Sequence, residues 1–469
     1  MILFVLSSCT VIGPNYKPPT HTIAPNYSVK SGNKPLSEKW WESFADPQLN
    51  YLIQQARAEN QDIKLAEARF KQARAGVNIQ NAQFGPTLAM NTKLVEDQWS
   101  KNSAMLVNIP NNNIRTQFTN YQIGFDASWE VDLFGRLQRL SEAANARSNA
   151  QQDHVQEMLL TISAEVARHY IELRTWQQRI ILANTHLKTL QELRRLTKLR
   201  QKVGEASRQE CEQIEADLKN YATVLTQFNM GFQQNLTALS LLTGIQLNIL
   251  ETKMRPPVQL AALPEAPALG LPSDLLKRRP DIRAAEQDLM TANAEIGAAI
   301  GDLYPRFSLL GSAGWLSINA STLFNSASQT WNIGPSLSFP IFNYGRLRNQ
   351  INANQAGFEM ALASYRKTIL NAVTEVEIAL NSITENETKF KLLNEAKAKQ
   401  KRLLQLTELE VKVGEMTRMD SLNIQRNLLN QEDQELQTHA QSLTSLVALY
   451  KALGGGFEQT SLKNRAALK

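Results

Sequence analysis

The chain has 469 residues, of which 43% are hydrophobic, 7% aromatic and 20% charged, and its formal charge is +6. This charge is small for the length and argues against a nucleic-acid-binding protein. Basic runs such as Arg194 to Lys202 fall at helical spacing among leucines, which is typical of a solvated helix face. No stretch approaches the roughly 18 apolar residues of a membrane-spanning helix, so a chain that crosses a bilayer would have to use strands.

The N-terminus has a pattern typical of an exported protein. Leu6-Ser7-Ser8-Cys9 follows a short apolar stretch and resembles a lipoprotein cleavage box, in which Cys9 becomes the acylated, palmitate-bearing N-terminus. An ordinary secretory signal is the alternative. Residues 1–8 contain no Lys or Arg, so we expect the natural start of this signal peptide to lie further upstream. Residues 9–45 are rich in proline, and we interpret them as a lipid-anchored extended arm.

Beyond the arm, a helical pattern runs from Asp46-Pro47 to about Phe84 and ends at Gly85-Pro86. Apolar and polar residues then alternate, which predicts strands at about 86–95 and 122–134, and again at 305–315 and 331–341. Strands of 9–12 residues are long enough to cross a bilayer when tilted. Four tryptophans near the predicted strand ends occupy positions where interfacial aromatic residues occur: Trp99, Trp129, Trp315 and Trp331.

The second half of the chain repeats the first. Val203-Gly204-Glu205 recurs 210 residues later as Val413-Gly414-Glu415, and an upstream block beginning at Asp62 recurs at Asp281. We therefore divide the chain into repeat 1 (46–244), a proline-rich connector (245–272), repeat 2 (273–454) and a C-terminal tail (455–469).

Each repeat predicts a long helical hairpin. A helical pattern of nearly 70 residues runs from Gly135 to Gly204, and again from Gly345 to Gly414, which corresponds to a rod of roughly 100 Å. The second glycine of each pair fits a left-handed residue after a helix. Two capping boxes then start the returning helices: Ser207 with Glu210, and Thr417 with Asp420.

The returning helices carry seven-residue spacings that predict coiled-coil packing within the hairpins. One series begins at Cys211, so we expect this thiol to be buried in a packing interface. The two series are Cys211, Leu218, Leu225, Phe232 and Leu239, and Leu422, Leu429, Leu436, Leu443 and Tyr450.

Four strands are too few to close a barrel, because the smallest closed barrels need about eight. An open sheet edge in lipid would leave backbone groups unsatisfied. We therefore expect identical copies to pool their strands, giving eight strands from two copies or twelve from three. The residues themselves do not choose between these two assemblies.

A set of short motifs carries a resemblance to a known family. They are Cys9 with Gly13-Pro14-Asn15-Tyr16 and Pro18; Trp40-Trp41 with Phe44, Asp46-Pro47 and Leu49; and Leu271-Pro272-Ser273-Asp274-Leu275-Leu276 followed by Arg279-Pro280-Asp281-Ile282 and Ala285-Glu286. With the duplicated hairpins, they cover nearly the whole chain and resemble the outer-membrane factors of tripartite efflux pumps, of the TolC/OprM type and its lipoprotein branch.

The resemblance implies a mainly α fold with a membrane β-barrel part. Three chains of four strands each would form a 12-stranded barrel in the outer membrane of a Gram-negative bacterium, continued by a long α-helical barrel in the periplasm. The homotrimer would work with a periplasmic adaptor protein and an inner-membrane transporter as a passive exit duct for small molecules such as drugs or other toxic compounds.

The resemblance also implies functional positions. It places the adaptor contact on Val203, Gly204, Glu205, Val413, Gly414 and Glu415, and the periplasmic gate on Asp420, Asn423 and Glu210. Asn423 stands where some relatives carry a second acidic ring, so a doubly acidic gate is not expected here. Asp420 also fits the helix cap described above, and both roles require that its carboxylate can leave the cap.

The residues give no indication of catalysis. The five histidines lack metal-ligand spacing, and we find no phosphate-binding loop, nucleophile elbow or metalloprotease motif, so we expect no enzyme and no cofactor. Two alternatives to the small-molecule duct remain: a lipid-anchored protein that tethers structures across the periplasm, and an exit duct for protein secretion.

Overall fold

The computed structural model describes residues 11–20, 27, 36–100, 102 and 115–455. It is mainly helical and contains a four-stranded antiparallel sheet, which confirms the predicted secondary-structure class. The chain divides into two compact units. Among the described residues, the sheet unit lies within the ranges 1–19, 70–151 and 285–365, and the hairpin unit lies within 20–69, 152–284 and 366–469. Both units take segments from both sequence repeats. Cys9 lies outside the described residues.

Two helical hairpins account for most of the helical residues. In the described part of the chain, no helix carries an apolar stretch long enough to cross a membrane. The helices, in chain order, are α1 (Pro47–Glu59), α2 (Gln61–Ala82), α3 (Arg136–Lys202), α4 (Arg208–Thr243), α5 (Leu247–Met254), α6 (Leu275–Arg278), α7 (Pro280–Gly301), α8 (Arg346–Val413) and α9 (Arg418–Ala452).

The single helix expected from Asp46 to Phe84 is wrong in one respect, because the chain breaks at Asn60 into α1 and α2. Asn60 has extended backbone geometry, with ψ at 132°. Its side-chain oxygen accepts hydrogen bonds from the backbone N–H groups of Asp62 (2.8 Å) and Ile63 (3.1 Å). This is the geometry of a helix N-cap, and the asparagine side chain therefore ends one helix and begins the next.

The predicted extended arm also contains a short helix. Residues Trp40–Phe44 form a 3-10 helix, and Trp40, Trp41 and Phe44 are buried in the hairpin unit. The ring of Trp40 stacks on Tyr450 of α9 with 5.2 Å between ring centroids. Aromatic burial of this kind offsets the entropy of ordering a segment whose composition favours an extended chain.

The sheet unit contains the strands β1 (Thr87–Gln98), β2 (Gln117–Val131), β3 (Arg306–Ser317) and β4 (Gln329–Ser338), hydrogen-bonded in that order. Their bounds lie within five residues of those expected from alternation. The pairing register places apolar residues of neighbouring strands side by side on one face and polar residues on the other. One apolar row is Met90, Phe125, Ala313 and Trp331, and the adjacent row is Ala89, Asp126, Ser312 and Asn332.

The two central strands approach closely at a pair of glycines. Gly124 of β2 lies opposite Gly314 of β3 in the register. A Cβ atom on Gly314 would lie 2.3 Å from the Ile123 carbonyl oxygen and 2.5 Å from the Gly124 Cα. Only residues without a side chain allow this approach, so the pair fixes the local pairing of β2 and β3.

We expect Gly314→Val to destabilise the sheet by about 1–3 kcal/mol, because the new side chain must push β2 and β3 apart. Gly334→Val on β4 is the matched control, since a Cβ there meets no atom of the described residues within 4 Å. Thermal melting of the purified protein in detergent, followed by the β signal in circular dichroism, measures the difference. Equal melting of the two variants would contradict the packing argument.

The N-terminal segment of the sheet unit is held by Arg139 of α3. Its guanidinium donates to the carbonyl oxygens of Ile12 (3.1 Å) and Gly13 (3.2 Å) and to the side chain of Asn15 (2.7 Å). Gly13 lies so close to α7 that a Cβ atom on it would be 2.5 Å from the Gly297 Cα. The arm is therefore held against α3 and α7 at residues 12–15.

Candidate functional site at the hairpin tips

Each hairpin reverses direction at a glycine in the left-handed region, with φ at +79° for Gly204 and +86° for Gly414. The N–H of Glu205 donates to the Arg200 carbonyl oxygen, and the N–H of Glu415 to that of Glu410, both at 2.9 Å. A hydrogen bond that spans five residues across a left-handed glycine is the Schellman motif, which satisfies the last carbonyls of a helix. The repeated Val-Gly-Glu segments therefore form two tips of the same geometry.

The returning helix of the first hairpin starts with a capping box. The N–H of Glu210 donates to the Ser207 hydroxyl oxygen (3.1 Å), and the N–H of Ser207 donates to the Glu210 carboxylate (3.2 Å). Glu210 also lies 3.6 Å from the guanidinium of Arg200. Glu210, which the resemblance places in the gate, therefore closes the turn in this structure.

Asp420 has the same position in the second hairpin. Its carboxylate accepts hydrogen bonds from the N–H (2.9 Å) and the hydroxyl (2.6 Å) of Thr417. These hydrogen bonds hold the pKa of Asp420 below its usual range, with a smaller contribution from the positive charge of Arg200. Asp420 is therefore ionised at neutral pH, and its charge is engaged in the helix cap.

The other predicted tip residues lie at the surface. Val203 and Val413 are 70% and 73% exposed, and Glu205 and Glu415 are also exposed. Asn423 is exposed and follows Asp420 by three residues on α9, so the two lie on neighbouring positions of one helix face. The structure thus brings the predicted adaptor contact together at two tips and places Asp420 and Asn423 just beyond the second.

The role of Arg200 differs from the one expected from the sequence. Its helical spacing assigned it to a solvated basic face, but the guanidinium donates to the Glu205 carbonyl oxygen (2.9 Å) and lies 3.8 Å from the Met419 sulfur of the second hairpin. Arg200 therefore connects the two hairpins of one chain. A periodicity cannot reveal this contact, because the two residues are 219 positions apart and Met419 has no charge to suggest a partner.

Comparison with known proteins decides the family. The family model described as "Outer membrane efflux protein" matches residues 52–245 and 271–455. The chain belongs to this family. It is 31% identical to the antibiotic efflux pump outer membrane protein ArpC of Pseudomonas putida, over 480 aligned positions that cover 99% of this chain and 96% of ArpC. The toluene efflux pump outer membrane protein TtgC of Pseudomonas putida gives the same identity and coverage. The solved outer-membrane channel OprN is 28% identical, with a TM-score of 0.85 over 95% of this chain and 99% of OprN.

These matches confirm the predicted family, and with it the location in the outer membrane and the role as the outer-membrane component of an efflux pump. They also support the fold, since OprN matches nearly the whole chain and not only its helices.

In this outer membrane efflux protein, an apolar cluster and two ion pairs join the hairpins. Leu422 of α9 packs against Leu190, Leu193 and Ile214 of the first hairpin. Arg426 lies 3.4 Å from Asp217, and further from the tips Arg179 forms a two-point ion pair with Asp433 at 2.7 and 3.1 Å. Separating the hairpins near their tips would therefore expose apolar surface and break ion pairs.

The first hairpin also contains two buried side chains with polar atoms, His186 on α3 and Cys211 on α4. The imidazole of His186 stacks on Tyr221 with 3.8 Å between ring centroids. Burial, together with the positive charge of Arg426, lowers the pKa of His186 to about 4, so the ring is neutral at pH 7. Cys211 is buried beside the Thr197 carbonyl oxygen, in the packing interface that its heptad position predicts.

Proposed function

We propose that the protein is a passive exit duct for small toxic molecules, formed by three copies and working with a periplasmic adaptor protein and an inner-membrane transporter. The observation that carries the proposal is the combination, in one chain, of four amphipathic strands with two duplicated hairpins of 67- and 68-residue outgoing helices. The similarity to outer-membrane components named for antibiotic and toluene efflux supports small organic substrates. No step of this function requires a catalytic group.

The edges of the sheet support assembly from several copies. The order β1-β2-β3-β4 leaves the outer edges of β1 and β4 without a neighbouring strand among the described residues. An unpaired strand edge is a surface for pairing with another chain. Pairing β1 of one copy with β4 of the next would give a closed sheet of twelve strands in a trimer. Cys9 remains the proposed acylation site that would anchor each copy to the membrane.

We further propose that Asp420 forms the resting gate. Three ionised copies of this residue around one narrow axis would repel one another and attract cations. The low pKa of Asp420 supports this role, because the ring would stay charged over the physiological range. To open, the ring must release its hydrogen bonds to Thr417 and the hairpins must separate at the contacts of Arg200 and Leu422. Glu210 would act on the gate through Arg200, and Asn423 would extend the lining without charge.

Conductance in planar lipid bilayers tests both proposals. The reconstituted wild-type protein should conduct poorly at rest and should be blocked by a trivalent cation such as hexaamminecobalt(III) added on the tip side. Asp420→Asn should weaken this block at least tenfold, because it removes three charges from the ring but keeps an oxygen that can accept the hydrogen bonds of Thr417. Asn423→Asp should strengthen the block, because it adds a second ring of charge.

Asp420→Ala, compared with Asp420→Asn, distinguishes a role of Asp420 in the gate from its role in the helix cap. If the charge controls the block, the Asn and Ala variants should weaken it equally. If only Asp420→Ala has an effect, the residue acts as a cap and the gate assignment is wrong. If the wild-type protein forms no pore under any condition, the proposed duct itself is wrong.

A further inference from the structure

The two hairpin tips have the same backbone geometry but opposite charge. We define tip 1 as residues 198–210 and tip 2 as residues 408–420, six residues either side of Gly204 and Gly414. Charged residues occupy the same six positions in both tips. Four positions keep their sign and two reverse it. The reversed positions are Lys198, which becomes Glu408, and Arg200, which becomes Glu410. Four cations and two anions give tip 1 a charge of +2, whereas two cations and four anions give tip 2 a charge of −2.

The apolar surface of the tips, by contrast, is conserved between the two repeats. Leu199 and Val203 are 47% and 70% exposed in tip 1, and their equivalents Leu409 and Val413 are 57% and 73% exposed in tip 2. Residues four apart lie on the same face of a helix, so each pair forms one apolar patch in the last turn before the glycine. Two matching exposed patches indicate that both tips bind the same kind of surface.

The contacts around the reversed positions leave the negative charge of tip 2 less balanced than the positive charge of tip 1. In the first hairpin Lys198 pairs with Glu215 at 2.5 Å, and Arg200 lies 3.6 Å from Glu210, so carboxylates partly balance both cations. In the second hairpin the residues equivalent to Glu215 and Glu210 are Gln425 and Asp420. No cation occupies either equivalent position, so tip 2 has a concentrated negative charge and tip 1 a partly neutralised positive one.

We propose that the two tips bind one kind of partner protein through the same apolar patch and distinguish its contact positions by charge. This inference rests on the proposed function, because it assumes that the tips are the partner-binding ends of the duct. Tip 1 fits an apolar partner surface flanked by carboxylates, and tip 2 fits one flanked by Lys or Arg. Like charges brought together at a wrong pairing would oppose binding, so the charges fix which tip occupies which position on the partner.

The test uses the full-length protein in detergent and two designed helical-hairpin peptides as probes. The peptides share one apolar end, and Glu flanks it in one while Lys flanks it in the other. A fluorophore on Gln209→Cys reports binding at tip 1, and a fluorophore on Met416→Cys reports binding at tip 2. The Glu peptide should bind more tightly at tip 1 and the Lys peptide at tip 2. Because the Debye length falls to a few ångströms in high salt, both preferences should weaken there.

Lys198→Glu and Glu408→Lys are the matched variants, since both side chains are exposed and each variant brings the charge of its own tip, +2 or −2, to zero. Each should weaken the preference of its own tip by about tenfold and leave the other tip unchanged. Unchanged preferences in both variants, or no binding of either peptide, would overturn the proposal. Bilayer conductance of the same preparations reports separately on the duct, so a failed inference and a failed function give different results.

Discussion

Replacing Arg174 with methionine should lower the free energy of unfolding of the hairpin unit by about 3 kcal/mol. Arg174 is 1% exposed, and its guanidinium donates to the carbonyl oxygens of Met254 (3.1 Å) and Pro256 (3.0 Å) and to the side chain of Gln177 (2.6 Å). A further hydrogen bond goes to Gln48 of α1. Methionine fills much of the volume but donates nothing, so the Pro256 carbonyl oxygen and the Gln177 side-chain oxygen would lose this donor, and the Met254 carbonyl oxygen would keep only the amide of Gln177.

The structural consequence is specific to the connector. Arg174 of α3 holds the end of α5 and the residues after it, so its loss should release the segment around Pro256 before the hairpins melt. Thermal melting in detergent measures the overall loss, and limited proteolysis of the connector measures the local release. Arg255→Met is the matched control, because Arg255 is 79% exposed and its ion pair with Glu251 is at the surface. If Arg174→Met and Arg255→Met have the same melting temperature, Arg174 does not anchor the connector.

A lysine at position 174 separates charge from geometry. Lysine keeps the positive charge but cannot reach several carbonyl oxygens with a planar fork. We therefore expect Arg174→Lys to lie between the wild type and Arg174→Met in stability. A lysine variant as stable as the wild type would mean that charge alone is required.

Much of this fold follows from periodicity. The strands were predictable because apolar residues alternate with polar ones along β2, as from Ile123 to Val131, and a period of two is typical of a strand with two unlike faces. The tips were predictable because Gly204 and Gly414 are each followed by a capping box at the same distance. Local rules with a clear backbone cause therefore carried over directly from sequence to structure.

The features that were not predictable from the sequence depend on distant partners. Asn60 interrupts a helical pattern, and its side chain is held in place at the break because it also finds an acceptor in the Leu242 carbonyl oxygen, 182 residues away. Arg174 and Arg200 look like ordinary positions on a polar helix face, because a periodicity does not show that Arg174 donates to distant carbonyl oxygens or that Arg200 lies beside the Met419 sulfur. The capping role of Asp420 was predictable, whereas its role at a gate depends on an assembly of several chains.

Each repeat contains an equivalent long-range hydrogen bond, and the loss of the two bonds should lower the free energy of unfolding by different amounts. Asn60 begins α2 and donates to the Leu242 carbonyl oxygen near the end of α4 (2.9 Å). Arg279 precedes α7 and donates to the Ala452 carbonyl oxygen at the end of α9 (2.9 Å). The two acceptors are 210 residues apart and the two donors are 219 residues apart, which are the two distances at which the sequence repeats. The two hydrogen bonds therefore occupy equivalent places in the two repeats. In each repeat, a side chain at the start of one helix thus donates a hydrogen bond to a carbonyl oxygen at the end of the hairpin's returning helix.

We expect Arg279→Met to destabilise the hairpin unit by about 3–5 kcal/mol and Asn60→Leu by about 2 kcal/mol. Arg279 is 7% exposed and also forms a two-point ion pair with Asp281 and one bond to Glu375 at 2.7 Å, so its loss leaves carboxylates without their cation. Asn60→Leu leaves only neutral backbone groups of α2 and α4 without partners. Chemical denaturation of the solubilised protein, with Lys277→Met as the exposed control, measures which of the two substitutions lowers the free energy of unfolding more.

Hydrogen exchange shows where Arg279→Met reduces protection, and it therefore tests whether the bond from Arg279 to the Ala452 carbonyl oxygen holds the end of α9. The Ala452 carbonyl is among the last of α9, and without Arg279 the end of this helix should fray, because terminal carbonyls depend on partners outside the helix. Amides of residues 449–455 should then exchange faster in Arg279→Met, while those at Leu422 near the tip keep their protection. Uniform loss of protection along α9 would instead show that Arg279 supports the whole unit and that the contact with Ala452 has no separate role.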